Sequence, residues 1–275
     1  VRTFKITLAY DGTDLVGWQR QPAGLSVQLA LEEALSRLQG QAVTVVGAGR
    51  TDAGVHASGQ VASVTLDVAH DVITLRRALN AVLPPSIRVL AVEDVPRGFH
   101  ARFGAVSKTY HYRLLNGPVA SPFLRRHAWH VPWALDTAAM AEAAGRLVGE
   151  HDFAAFQSTG GDVRTTVRRI LRSELREIEL PAAGDASPAA VPAAETDARL
   201  FVYDVEGSGF LRHMVRAIVG TLVDVGSGRA TPDLVPALLE RPDRALAGPT
   251  APAAGLCLVG VRYDEARLRL DDKSL

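Results

Sequence analysis

The sequence predicts an α+β fold: two ferredoxin-like (RRM-like) halves sharing a mixed, mainly antiparallel sheet with helices packed on it. Two observations carry that expectation. Residues 4–95 alternate apolar strands and helix-periodic segments in the order β-α-β-β-α-β. Residues 106–275 then repeat the order loosely. The expected halves are 1–105, which holds a glycine-rich turn, and 106–275, which holds a long loop at 181–198. A chain of 275 residues can bury a large core without disulfides or a structural metal.

Each element follows from local chemistry. "FKITLAYDG" places β-branched and aromatic residues before Asp-Gly, a strand running into a turn. "SVQLALEEALSRLQG" offers Ser26 as N-cap, Gly40 as stop, and leucines at 31, 35 and 38 on one helical face. "AVTVV" reads as a short strand entering the glycine turn, and "QVASVTLDV" as the strand leaving it. A helix over 71–82 ends before Pro84-Pro85, where proline forbids continuation, and "IRVLAVEDV" closes the first half. The second half is read as a helix at 136–148, strands "ILRSELREIEL" and "RLFVYDVEG", helices at 210–225 and 231–240, and a last strand "LCLVGVRY". The segment 181–198 is rich in Ala and Pro and nearly free of large apolar residues, the composition of a mobile surface loop without a catalytic role.

Thirty basic and thirty acidic residues cancel, so any affinity for nucleic acid has to come from local clusters. Three exist: Arg164, Arg168, Arg169, Arg172 and Arg176; Arg97, Arg102 and Lys108; and Arg125 with Arg126. No apolar run reaches membrane-spanning length, and residues 1–15 lack the apolar core of a signal peptide, which leads to the expectation of a soluble cytoplasmic protein. The single Cys257 excludes an internal disulfide, and its apolar strand suits a small core residue better than a nucleophile. The histidines show no zinc-ligand spacing and no HExxH occurs, so no metal site is expected.

Three stretches can carry chemistry. "VVGAGRTDAGVHASGQV" sets one carboxylate, Asp52, among glycines and beside Arg50. It has no Gly-Lys-Ser/Thr and no helix follows, so it is neither a phosphate loop nor a dinucleotide fingerprint. Two readings stay open: Asp52 caps local amides, as Asp does in turns, or it stands clear of its backbone where a substrate approaches over glycine. In "GSGFLRHMVRAIVGTLVDVG" an apolar stripe of Leu211, Val215, Ile218 and Leu222 faces the core, while Arg212 and Arg216 lie one turn apart on the other face. Cations near a helix N-terminus oppose the helix dipole, so these two are expected to meet an anion, a carboxylate or an RNA phosphate. In "FHARFGAVSKTYHYRLLN" a strand over 109–115 puts Tyr110 and Tyr112 on one face and His111 on the other. An exposed tyrosine beside basic residues can stack on a nucleobase.

"GAGRTDAGVHA" at 47–57 resembles the signature of the TruA family of tRNA pseudouridine synthases. "YDGTDLVGWQRQP", "FHARF", "KTYHY", "DFAAF", "RTTVRRI", "FLRHMVRAIVG" and "GLCLVGVRY" resemble further blocks of that family, in order and almost end to end. The 181–198 loop looks longer than usual for the family. The resemblance implies isomerisation of uridine to pseudouridine at positions 38, 39 and 40 of the tRNA anticodon stem-loop, by a homodimer without metal or organic cofactor. It implies Asp52 as the catalytic carboxylate, Arg216 as its ionic partner, Tyr110 against the target base and Leu256 as an apolar wall of the pocket. Arg50 and Arg212 are the further candidates for holding the substrate.

The chemistry suits these types. An ionised carboxylate can attack C1′ of the ribose, add to C6 of the ring, or take a proton from C2′. A uracil in a stacked stem has to be extruded, and ring stacking offsets part of that cost. A hydrolase using the same carboxylate needs a second acid near it, and neither the glycine turn nor the 210–225 helix offers one. A non-catalytic RNA-binding module is the other alternative for a ferredoxin-like sheet.

Overall fold

The computed structural model describes residues 1–67, 69–158, 160, 163–179, 198–264 and 268. Ten strands and five α-helices lie among them, and the strand pairing is mixed and mainly antiparallel, as an α+β fold requires. The chain forms two compact units, Val1–Lys108 with Cys257–Leu275, and Thr109–Leu256.

In the first unit β1 (Arg2–Tyr10) lies between β3 (His56–Leu66) and β4 (Ile87–Val95), antiparallel to both. The two-residue β2 (Val46–Gly47) pairs with β3, and β10 (Leu256–Tyr263) joins β3 in parallel through Cys257↔His56 and Leu258↔Ala57. Strand β1 alternates, burying Phe4, Ile6, Leu8 and Tyr10 on one face, as its sequence period demands. Helix α1 (Val27–Gln39) starts where the Ser26 hydroxyl accepts the Leu29 N–H, and stops at Gly40, which takes the left-handed conformation at φ 77°. Helix α2 (Val72–Val82) is capped by Asp71 and lies against the outer edge of β4. There the Asn80 amide exchanges two hydrogen bonds with the Val89 main chain, each 2.8 Å, closing an edge that a further strand would otherwise extend.

In the second unit the strands run in the order β5-β9-β8-β7, formed by β5 (Ala105–Asn116, from Thr109 on), β9 (Arg199–Gly207), β8 (Val167–Ile178) and β7 (Gly149–Asp152). A short β6 (Trp129–Val131) pairs in parallel with β5. Helix α3 (Thr137–Gly145) lies against β8 and against α4 (Met214–Gly226), and α5 (Leu234–Glu240) follows. Helix α4 buries far more than the expected stripe: Ala217, Val219, Gly220, Thr221 and Val223 are hidden as well.

Two expectations are corrected here. "AVTVV" is not a strand over its length; only Val46 joins β2. The main chain before it is satisfied by α1 side chains instead: Val43 N–H donates to Ser36 Oγ, Val45 N–H to Glu32 Oε1, and Gln28 Nε2 donates to the Val45 carbonyl. A ladder is unnecessary where side chains already take those groups. The helix expected from 210 begins at Met214, because the chain reverses at His213 with φ 60°. Arg212 therefore sits in a turn, not one helical turn from Arg216. Of the loop expected at 181–198, residues 181–197 lie outside the described residues.

Candidate active site

Residues 48–55 link β2 to β3 and carry Arg50, Thr51 and Asp52. The root is fixed by Ala48, whose N–H donates to the Val61 carbonyl at 2.7 Å. Its side chain is buried with Val61, Ala101 and Tyr263. Farther along, Thr51 is buried, with Oγ1 2.8 Å from the Tyr10 hydroxyl. Gln60, fully buried on β3, donates from Nε2 to that hydroxyl at 3.3 Å and to the Gly49 carbonyl at 3.0 Å. Burial pushes the Tyr10 hydroxyl up to about 12, while the bonds to Thr51 and Gln60 pull the other way, so the phenol is neutral at physiological pH.

A second segment clamps the loop from outside. Trp18 N–H donates to the Thr51 carbonyl at 3.0 Å, and Gly54 N–H to Leu15 at 3.3 Å. At Gly47 a Cβ would lie 2.3 Å from the Trp18 indole. Gly47, at the end of β2, thus serves internal packing at the entry to the loop. At the tip the Asp52 main-chain carbonyl accepts the Val55 N–H at 3.1 Å. Asp52 is half-buried and Arg50 is exposed.

In the second unit Arg216 is the third residue of α4 and half-buried. Its Nε donates to the Ala251 carbonyl at 2.7 Å, and Ala251 N–H returns a bond to the Arg216 carbonyl at 3.1 Å. The segment 248–251 reaches this place by crossing α4 at Gly220, where a Cβ would stand 1.7 Å from the Pro249 carbonyl oxygen. Gly248 N–H is taken there by Thr221 Oγ1 at 2.9 Å. A glycine inside a helix costs about 1 kcal/mol of helix propensity. Here it admits the strap that orients the guanidinium.

Tyr112 is fully buried and its hydroxyl donates to the Pro252 carbonyl at 2.7 Å. Burial pushes that hydroxyl up, and the positive charge of Arg216 opposes the shift, which places the two side chains in each other's field. Leu256, at the start of β10, is buried. Tyr110 is buried rather than exposed as a stacking platform, with its ring edge-on to Phe210 at 5.1 Å between centroids and 82° between planes. Arg212 is exposed.

His111 faces away from the tyrosines and meets Asp204 at 3.2 Å. Arg172 binds the other Asp204 oxygen at 2.9 Å, so one cation counted among those available for phosphate is held by an internal carboxylate. Burial lowers the basicity of His111, and Asp204 works against it.

The structure thus gives the Asp52 loop and Arg50 to the first unit, and Arg216, Arg212 and Tyr110 with Leu256 to the second. Sequence reasoning missed the supports: Tyr10, Thr51 and Gln60, which hold the Asp52 loop, and Ala251, which binds Arg216. Gln60 shares its strand with His56, Ser58, Ser63 and Thr65, so its polarity did not mark it out. Ala251 acts through its carbonyl, which no side-chain pattern reveals.

A family model described as tRNA pseudouridine synthase matches residues 6–104 and 143–264. These segments contain Arg50, Asp52, Arg212, Arg216 and Leu256, while Tyr110 falls between them. Three curated relatives, each named tRNA pseudouridine synthase A, match over nearly their full length. The protein from Pelobacter propionicus is 46% identical over 263 residues, covering 96% of this chain and 100% of that one. Those from Syntrophotalea carbinolica (45% over 260 residues, 94% and 95% covered) and Geobacter sulfurreducens (44% over 263, 96% and 100%) are similar.

Proposed function

The chain belongs to the tRNA pseudouridine synthase family, and from that premise we propose that it isomerises uridine to pseudouridine at positions 38, 39 and 40 of the tRNA anticodon stem-loop. The observation that carries this reading is the unbroken signature at 47–57 within a near full-length match. In the reaction the bond from C1′ to N1 breaks, the uracil turns, and C1′ bonds to C5. The C5 proton leaves and N1 gains one, so substrate and product have the same atoms and no external group or redox partner is consumed.

Asp52 is the proposed catalytic carboxylate. What supports it is its half-buried place on a loop held by Thr51, Gln60 and Trp18, since a nucleophile or base has to be held in position before the substrate arrives. Arg216 is proposed as its ionic partner, a role supported by the resemblance and by the Ala251 bond that fixes the guanidinium plane. Tyr110 is proposed to pack on the extruded base and Leu256 to form an apolar wall. The buried, edge-on setting of Tyr110 favours a ring that presents a fixed surface over a mobile one. Arg50 and Arg212, both exposed, are proposed to hold phosphates. A homodimer acting in the cytoplasm completes the proposal; among the described residues no helix is long and apolar enough to cross a membrane.

The test is chemical mapping of pseudouridine in unmodified tRNA incubated with the purified protein. Modification confined to the anticodon stem-loop supports the reading. Release of free uracil would mark a hydrolase, and binding without any change in the RNA would mark a non-catalytic module.

A further inference from the structure

Among the described residues His213 is the sole non-glycine residue with positive φ, at φ 60° and ψ 5°. It occupies the third place of a turn closed by Met214 N–H donating to the Leu211 carbonyl at 3.2 Å. That place favours glycine or asparagine, because a Cβ is strained there. His213 is also the N-cap of α4, with its carbonyl accepting the Ala217 N–H at 2.9 Å, yet its side chain makes no cap bond. The N-caps Ser26, Asp71 and Asp136 do, and Asp233 before α5 does not. Glycine would relieve the turn and serine or aspartate would cap the helix. The chain uses neither.

The imidazole is directed elsewhere. Its Nδ1 lies 2.8 Å from Ser158 Oγ, the donor being set by the tautomer. Ser158 N–H donates in turn to the Arg212 carbonyl at 3.2 Å. Ser158 is therefore bonded to two consecutive residues of the turn, and the loop after the 3-10 turn Ala154–Phe156 is stapled to the start of α4. Three residues past His213, Arg216 makes its bond to Ala251, a contact whose length depends on where and in which direction the helix begins. Strain held at such a point is expected where the surrounding structure uses it.

We propose that His213 is a positioning residue: locked to Ser158 in a left-handed turn, it sets the start of α4 and thereby the placement of Arg216 for the isomerisation proposed above, on which this inference rests. The imidazole acts through its bond to Ser158 and the turn.

The test compares His213→Gly, His213→Asn and Ser158→Ala with the wild-type protein. The readouts are the melting midpoint, tRNA affinity, the single-turnover rate at saturating enzyme, and the NMR signal of the Arg216 Nε–H. His213→Gly is expected to melt at or above the wild-type midpoint, because the strain is gone, and to bind tRNA within about threefold of wild type while turning over about tenfold more slowly or worse. The Arg216 Nε–H signal should shift and exchange faster. His213→Asn, which tolerates the left-handed conformation and keeps a hydrogen-bonding group, should recover part of the rate. Ser158→Ala should show a smaller loss in the same direction.

A His213→Gly rate within about twofold of wild type would overturn the inference. So would a fall in midpoint that parallels the fall in rate, which marks a purely structural residue, or a loss confined to affinity, which marks an RNA contact. If the wild-type protein forms no pseudouridine, the functional reading fails on its own account. The Arg216 signal then decides: unmoved in His213→Gly, it overturns the positioning role.

Discussion

The Asp52 loop and the turn that opens α4 each present a charged side chain, and they are built in opposite ways. The loop is held by a buried network of Tyr10, Thr51 and Gln60 at its back and by the Trp18 segment in front, and its non-glycine residues keep ordinary conformations. The turn spends its order on one strained residue, His213, a single serine and a strap laid over Gly220. The loop has redundant supports: without the Tyr10 hydroxyl, Gln60 still holds the Gly49 carbonyl and the Thr51 carbonyl still accepts the Trp18 N–H. A strained turn and a glycine crossing do not tolerate such a loss, so the cationic side should be the more fragile of the two.

The largest effect is expected at the crossing. Gly220→Ala would drive a methyl group into the Pro249 carbonyl, destabilising the fold by about 3 kcal/mol or more, at the top of the usual range for overpacking. Calorimetry should show a lower melting midpoint, and activity should fall with it as the strap leaves Arg216. An unchanged midpoint would mean that the strap is loosely held and the contrast unfounded.

Arg216→Lys keeps the charge and removes the planar fork that binds Ala251. Turnover should drop on the order of a hundredfold with little change in melting. A rate close to wild type would leave the cation side tolerant and undo the comparison.

With Tyr110 as the proposed packing surface for the extruded base, Tyr110→Ala should lose roughly five- to a hundredfold in single-turnover rate, whereas Tyr110→Phe retains most of it. Equal, severe losses in both would assign the work to the hydroxyl, for instance in removing the C5 proton.

On the loop side a single deletion should cost least. Tyr10→Phe strips one bond each from Thr51 and Gln60 and should destabilise by about 1 kcal/mol, with turnover within a few-fold of wild type. It should also alter the alkaline limb of stability. The folded-state value of Tyr10 is raised from 10.0 to about 12, so its contribution is complete below pH 10.0 and is lost as the pH rises toward 12. The Phe variant should lack that part of the decline.

How far the sequence announced this architecture depends on the range of the forces involved. Helix α1 was legible to the residue because Ser26 and Gly40 act within one turn of the ends they close. The 43–45 segment was not, since its hydrogen bonds go to side chains on α1 and no local pattern distinguishes that from a strand. The start of α4 was misplaced by a single residue's dihedral angle, which an apolar period cannot encode. Asp52 and Arg216 stood out as charges in unusual settings. Thr51, Gln60 and Ala251 did not, because their partners are far away in the chain and one of them acts through its main chain.

Asp52 is proposed to do the chemistry on an anticodon stem-loop bound chiefly through the protein's cations. Asp52→Asn keeps the size of the side chain and replaces the carboxylate, so one paired measurement is decisive: tRNA affinity and pseudouridine formation by the same variant. Affinity should stay within a few-fold of wild type with no pseudouridine above background, since phosphate contacts supply most of the binding. Turnover above about a tenth of the wild-type rate would contradict the proposal, because losing an essential catalytic group costs on the order of a thousandfold or more.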